Sequence, residues 1–219
     1  MSAYSVTIGV VDPKYEKQAR AAIRTSGANG ATWLFARGTN SSHWMCLLGL
    51  DSPRKEMLLV VHNKSVGEVL LKELYKNCYM DKHGGIAFTM PIGHLHGLAK
   101  GTDDACEIVT KKGGSEMQQE LIIVIVDNGR GEDVVEAAQK AGARGATLLH
   151  GKGSGAGQIE KFFNFEIEPE KELALFVTPV DEVDTIIAGI QKEIDFNKPN
   201  TGILFTIDIT NSVGLNTNH

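Results

Sequence analysis

The chain repeats itself. Gly27-Ala-Asn-Gly-Ala-Thr-Trp-Leu-Phe-Ala-Arg-Gly38 returns as Gly142-Ala-Arg-Gly-Ala-Thr-Leu-Leu-His-Gly-Lys-Gly153, displaced by 115 residues without a gap. Near the end of each half, Gly85-Ile-Ala-Phe-Thr89 returns as Gly202-Ile-Leu-Phe-Thr206, each trailed by Gly-Leu (Gly97-Leu98, Gly214-Leu215). A period this long exceeds a solenoid repeat and matches a whole small domain used twice. The expected organisation is a first module over 1–98, a linker over 99–119 and a second module over 120–219. The linker residues, which end Lys111-Lys-Gly-Gly-Ser115, are polar and rich in glycine.

At 42% hydrophobic and 22% charged residues, the chain can fill a core. Its longest apolar run, Leu121–Val126, is far too short to cross a bilayer. The N-terminus lacks the basic start and apolar stretch of a secretory signal. Cys46, Cys78 and Cys106 are odd in number and widely spaced, a poor disulfide framework, so the expected address is the cytoplasm. Net charge is +4 over 1–98, −1 over 99–119 and −8 over 120–219. An acidic chain without a basic cluster argues against a nucleic-acid partner. The basic and acidic halves suit electrostatic complementarity between modules or subunits.

The second half reads clearly. Leu121–Val126 is a β-branched buried strand, and Gly131-Glu-Asp133 opens a helix that Gly142 stops. Ala146–His150 is a strand running into Gly151-Lys-Gly-Ser-Gly-Ala-Gly157. Phe163, Phe165 and Ile167 alternate with polar residues, and Leu173–Val177 is a further buried strand. Asp181 reads as an N-cap, and Val183, Ile186, Ile187 and Ile190 stripe one helix face. The last strand is Ile203–Ile209. The first half follows suit with strands at Val6–Val11, Ala31–Ala36, Met57–Val61 and Ile86–Met90, and helices near 15–25 and 65–78. Strand, helix, strand, strand, helix, strand is the split βαβ order. The expected fold is therefore α+β: two tandem ferredoxin-like (βαββαβ) modules, each a four-stranded antiparallel sheet with two helices on one face. Strands apolar on both faces predict that the opposite face is covered as well, by the sister module or by a second chain.

Chemistry concentrates in few places. Four glycines in Gly151–Gly157 let backbone amides turn inward around an anion, and Lys152 adds a positive charge. The order differs from both the P-loop and the dinucleotide fingerprint. His94 and His96 at a strand end put two imidazoles on one face, a geometry suited to zinc or copper, whereas the second copy has Asn211-Ser-Val213. His150 abuts the glycine-rich loop, and His43, His62 and His83 are scattered. No arrangement resembles a catalytic constellation, and no enzymatic activity is expected.

The duplicated split βαβ unit, with Gly145-Ala-Thr147 leading through Gly151-Lys-Gly-Ser-Gly155 into a long loop, resembles the PII signal-transduction proteins and their PII-like relatives. The resemblance covers both halves. It implies a cytosolic regulator, in nitrogen regulation among other processes, that senses a small-molecule effector. ATP or ADP would bind at the base of the loop between the second and third strands, in clefts between the subunits of a trimer. That loop would touch a protein partner, a transporter or a metabolic enzyme, so that contact with a membrane comes only through the partner. Carried over by position, Thr147 lies beside the adenine, Lys152, Gly153 and Gly155 form the root of the loop, and Gly202 ends the phosphate-binding turn. Thr32, Arg37, Gly38 and Gly85 correspond in the first module. Where PII proteins carry a lysine and two arginines for the phosphates, this chain has Ile203 (Ile86 in the first copy), Gly214 and Asn216. Losing three cations favours a less charged ligand, or one held mainly by backbone amides. The alternative on the same fold is a CutA-type metal-binding or scaffold trimer with His94 and His96 as ligands.

Overall fold

The computed structural model describes residues 4–37, 54–82, 84–97, 119–155, 160–162, 165–167, 169–198, 201–210 and 212. By their contacts these fall into two compact units. An N-terminal unit is drawn from Ala3–Pro91 with His150–Lys171, and a C-terminal unit from Ile92–Leu149 with Glu172–His219 and Met1–Ser2.

In the N-terminal unit, β1 (Tyr4–Val11), β2 (Gly30–Arg37), β3 (Arg54–Asn63) and β4 (Gly85–Pro91) are ordered β4-β1-β3-β2, all antiparallel. Helices α1 (Glu16–Ser26) and α2 (Lys64–Asn77) pack against each other. Their buried sides, Ala19, Ala22 and Ile23 with Leu70 and Leu74, close a core on Val11, Trp33, Leu58 and Val60. The helix limits follow from the sequence. Asn63 caps α2 by accepting the Val66 amide at 3.0 Å. Gly27 ends α1 in the left-handed region at φ +79°. Burial raises the Cys78 thiol to about 11, so this cysteine is a packing group rather than a nucleophile. Cys46 and Cys106 lie outside the described residues.

The C-terminal unit repeats the plan. Following the two-residue strand β5 (Leu95–His96) come β6 (Gln119–Asp127), α3 (Gly131–Lys140), β7 (Thr147–Gly155), of which only the start belongs to this unit and His150–Gly155 to the N-terminal one, β10 (Glu170–Pro179), α4 (Val180–Glu193) and β11 (Gly202–Ile209). Its strands are ordered β10-β6-β11-β5. The short strands β8 (Glu160–Phe162) and β9 (Phe165–Ile167) form a separate pair in the N-terminal unit. The expected helical stripe of Val183, Ile186, Ile187 and Ile190 is buried against Ile122, Val124, Val126, Phe176 and Leu204.

Among the described residues the fold is α+β with antiparallel strands and four α-helices, as the repeat implied. Two local readings change. The helix expected to be capped by Asp181 begins two residues earlier: Pro179 occupies the cap position at φ −57°, ψ 143°, and Asp181 falls in the first turn. The Pro179 side chain carries no acceptor for the amides of the first turn, so the chain enters the helix there without a side-chain cap. The glycine-rich stretch after the second strand is the other change. Its residues Gly151–Gly155 continue β7 rather than forming a loop.

His62 is a structural group. It is buried, its Nε2 lies 2.6 Å from the Thr7 hydroxyl and its Nδ1 2.8 Å from the Asn63 carbonyl. Nδ1–H therefore donates to Asn63 and neutral Nε2 accepts from Thr7. Burial lowers the pKa of this imidazole. The unfolded chain thus takes up a proton more readily, and the stability from neutral His62 is complete above the ordinary value near 6.5 and lost as pH falls through the lowered one. Urea midpoints measured from pH 7.5 to 5 should fall, and His62→Gln should remove that part of the slope.

Candidate functional site

The root of the loop between β2 and β3 is built by pairing the two repeats. Residues Gly30–Leu34 of β2 run antiparallel to Gly151–Gly155 of β7, with Thr32 opposite Gly153, Trp33 opposite Lys152 and Gly30 opposite Gly155. One candidate from each repeat, Thr32 and Gly153, therefore lands in a single cross-strand pair. On its other side Thr32 faces Leu59 of β3, and it is buried.

The glycines permit close approach. A β-carbon on Gly151 would sit 2.5 Å from the Trp33 carbonyl oxygen and 2.7 Å from Leu34 Cδ2. One on Gly153 would meet the Lys171 stem at 2.7 Å. The Gly153 amide donates to the Pro169 carbonyl at 2.9 Å, so in Gly151–Gly155 the inward-turned amide cradle expected over Gly151–Gly157 gives way to strand hydrogen bonds, while Ala156 and Gly157 lie outside the described residues. The fixed charge remains. Lys152 is exposed, with its ammonium 5.5 Å from the centre of the Phe35 ring, and Phe35 is itself 71% exposed.

Around this strand pair lies a charged cluster that the sequence did not announce. The Arg20 guanidinium stacks 4.4 Å from the centre of the buried Trp33 ring and pairs with Glu16 at 2.7 Å. Burial raises the Glu56 carboxyl and Glu16 pushes the same way, while Arg20, Lys152 and Arg54 pull it down. Lys152 is thus part of a mixed-sign surface rather than an isolated cation.

The remaining candidates are dispersed. Arg37 ends β2 opposite Arg54, and Gly38 lies outside the described residues. Thr147 is exposed at the start of β7. Gly85 and Gly202 open β4 and β11 at φ +157° and +149°. A β-carbon on either would run into a backbone carbonyl oxygen of the neighbouring strand, that of Val10 for Gly85 and of Ile125 for Gly202. Gly85 lies opposite Val11 of β1, separated from β2 by β1 and β3.

His94 and His96 face α4 of the C-terminal unit. His94 Nε2 lies 3.9 Å from Asp184 and His96 Nδ1 3.1 Å from the Gln191 amide. Burial lowers the His96 pKa, with His94 adding to the effect. Among the described residues, no group of three or more His, Cys, Asp or Glu side chains is placed to hold a metal ion. No helix among them is long and apolar enough to cross a membrane.

Sequence reading also missed Glu172. It is only 7% exposed, and its Oε2 accepts the amides of Gly129 at 3.1 Å and Gly131 at 2.6 Å, closing the turn that enters α3. The signal was present: Lys55-Glu-Met-Leu-Leu59 returns as Lys171-Glu-Leu-Ala-Leu175. The two glutamates have since parted. In the N-terminal unit Asp12 takes the equivalent turn amide, that of Lys14, at 3.2 Å.

Among solved structures, PII of Arabidopsis thaliana bound to citrate aligns at 18% identity and a TM-score of 0.34, over 43% of this chain and 81% of that one. GlnK of B. subtilis in complex with ATP aligns at 19% and 0.36, over 46% and 89%. CPII of Thiomonas intermedia K12, bound to ADP, AMP and acetate, aligns at 23% and 0.31, over 42% and 85%. None of the curated proteins matches. The family model for nitrogen regulatory protein P-II matches residues 119–219. The second half of this chain is thus similar to a module of the nitrogen regulatory protein P-II family.

Proposed function

We propose that the chain is a PII-like regulator of two modules, 1–98 and 120–219 joined by 99–119, that senses a small anionic ligand. The family match over residues 119–219 carries this reading. The residues proposed to contact the ligand are Thr147, Lys152, Gly153, Gly155 and Gly202 in the second module and Thr32, Arg37, Gly38 and Gly85 in the first. The pairing of Thr32 with Gly153 supports a site assembled from both copies. Strand hydrogen bonds occupy the Gly151–Gly155 stretch, so recognition in that stretch falls to the exposed Lys152 ammonium rather than to an amide nest. The protein acts in the cytoplasm as a homo-oligomer, a trimer being favoured. It controls a transporter or metabolic enzyme through the segments between the second and third strands of each module.

The ligands of the three PII proteins above set the panel for the test: citrate, ATP, ADP and AMP. At a hundredfold excess over its dissociation constant, a ligand bound only by the folded state adds about 2.7 kcal/mol of stability. At least one member of the panel should raise the melting temperature at millimolar concentration. Lys152→Ala should weaken that ligand about tenfold through loss of a charge-assisted contact. A flat response across the panel would sink the proposal.

A further inference from the structure

The two copies part company where the first helix of the N-terminal unit crosses β2. The gap-free offset that joins Gly27 to Gly142 also joins Arg20 to Val135 and Trp33 to Leu148. Val135 and Leu148 pack against the apolar core of the C-terminal unit. Their counterparts form a cation–π pair instead, the Arg20 guanidinium lying 4.4 Å from the Trp33 ring centre. The buried Trp33 indole N–H has no hydrogen-bond partner among the described residues, an orphan donor that an ordinary core avoids. Glu56 completes the divergence. Its counterpart Glu172 is held by two turn amides, whereas Asp12 serves that turn in the N-terminal unit, so Glu56 is released from it.

Strand alternation gathers the released groups on one face. Trp33 and Phe35 stand two apart on β2 and share the face that carries α1. Glu56 lies opposite Phe35 on β3, and Lys152 opposite Trp33 on β7, so both belong to that face. Thr32 and Gly153 point to the other one. All of these residues lie within the N-terminal unit. Phe35, Arg54 and Lys152 are exposed, and Glu56 is partly buried. Burial and Glu16 raise the Glu56 carboxyl, while Arg20, Lys152 and Arg54 attract it through space, none of them by a hydrogen bond. Opposite charges held near each other without touching, around an exposed aromatic ring, form an unmatched set of partners.

We propose that this face binds a free α-amino acid with an aromatic side chain. The ligand ring stacks on Phe35, its ammonium pairs with Glu56, and its carboxylate pairs with Lys152 and Arg54. The charges select this class. Lys152 and Arg54 ask for an anion and Glu56 for a cation, and a zwitterion carries both on one carbon. A simple anion would set its charge against Glu56 and Glu16, and a simple amine would set its charge against Lys152 and Arg54. Arg20, tied to Glu16 at 2.7 Å, keeps Trp33 in place as the wall behind the ring. The site shares Lys152 with the sensing site proposed above and rests on no other part of that reading.

Equilibrium dialysis of the full chain against L-phenylalanine should show saturable binding at millimolar concentration. 3-Phenylpropionate keeps the ring and the carboxylate but lacks the ammonium. It should bind about tenfold more weakly, the effect of one lost charge-assisted contact. Glu56→Gln should weaken L-phenylalanine about tenfold and leave 3-phenylpropionate no weaker, so that the two ligands converge. Phe35→Ala should weaken both, and circular dichroism of each variant should match the parent. Absence of L-phenylalanine binding overturns the proposal. So does equal affinity of the parent for the two ligands, or a Glu56→Gln variant that keeps the preference. A chain that binds L-phenylalanine but ignores citrate and the adenine nucleotides would keep this site and lose the anion sensor. The reverse result would keep the sensor and overturn this site.

Discussion

Replacing Glu172 with alanine should cost about 3 kcal/mol of folding stability, a large share of the 5–15 kcal/mol typical of a domain. The carboxylate is buried and receives two amides, those of Gly129 and Gly131. Both belong to the turn entering α3, a helix whose own cap residue, Arg130, makes no side-chain hydrogen bond. Alanine strands both donors and removes a negative charge from the positive end of the helix dipole. A β-carbon on Gly131 would meet Glu172 Oε2 at 2.7 Å, so the space is shaped to this carboxylate. With an ordinary urea dependence the midpoint should drop by about 1–2 M. Glu172→Gln, which keeps an accepting oxygen, should recover about half of the loss. Hydrogen exchange should quicken most at Gly129 and Gly131. An alanine variant as stable as the parent would mean that these amides are satisfied without the carboxylate.

Gly202→Ala and Gly85→Ala should each cost about 3 kcal/mol, for two reasons that act together. The backbone sits at φ +149° and +157°, a region that costs a side-chain-bearing residue roughly 1–3 kcal/mol. The added methyl also has nowhere to go. On Gly202 it would lie 2.5 Å from the Ile125 carbonyl oxygen, a backbone atom held in the β6 ladder. Gly27 is the internal control. Its φ of +79° is also positive, but a β-carbon there meets nothing within 4 Å. Gly27→Ala should therefore lose only the conformational part, about 1 kcal/mol. Chemical denaturation of the three variants checks the ranking, and equal losses at Gly27 and Gly202 would show that steric overlap adds nothing.

The same glycines show how far sequence alone reaches. Gly85 and Gly202 stand out in the repeat, and the resemblance reads Gly202 as part of a phosphate-binding turn, yet the geometry gives both positions a sufficient structural reason. Element order was legible because Leu121–Val126 and the Val183–Ile190 stripe carry their periodicity locally. The start of α4 was not, because the side chain of Asp181 has the chemistry of a cap while the backbone places the cap position at Pro179, which has none. Gly151–Gly155 looked like a loop since glycine lowers strand propensity, but pairing with β2 overrides propensity. Glu172 went unread for a different cause. Its partners lie more than forty residues away, and a carboxylate in a strand looks solvated until its tertiary neighbours are known.

The β2–β7 ladder carries a consequence for the order of folding. It joins residues more than a hundred positions apart, as in Leu34 with Gly151 and Gly30 with Gly155. The β1–β3 and β2–β3 ladders span shorter separations, and α1 and α2 lie between their strands or directly after them. Closing the longer loop adds chain entropy to the barrier, so contacts of this reach form late. During synthesis β2 emerges well before the glycines that will flank it. Until then its outer edge is a bare strand in a partly folded chain, the state in which wrong pairings are made. The small residues at Gly151, Gly153 and Gly155 leave little side-chain bulk to be threaded when the partner finally arrives.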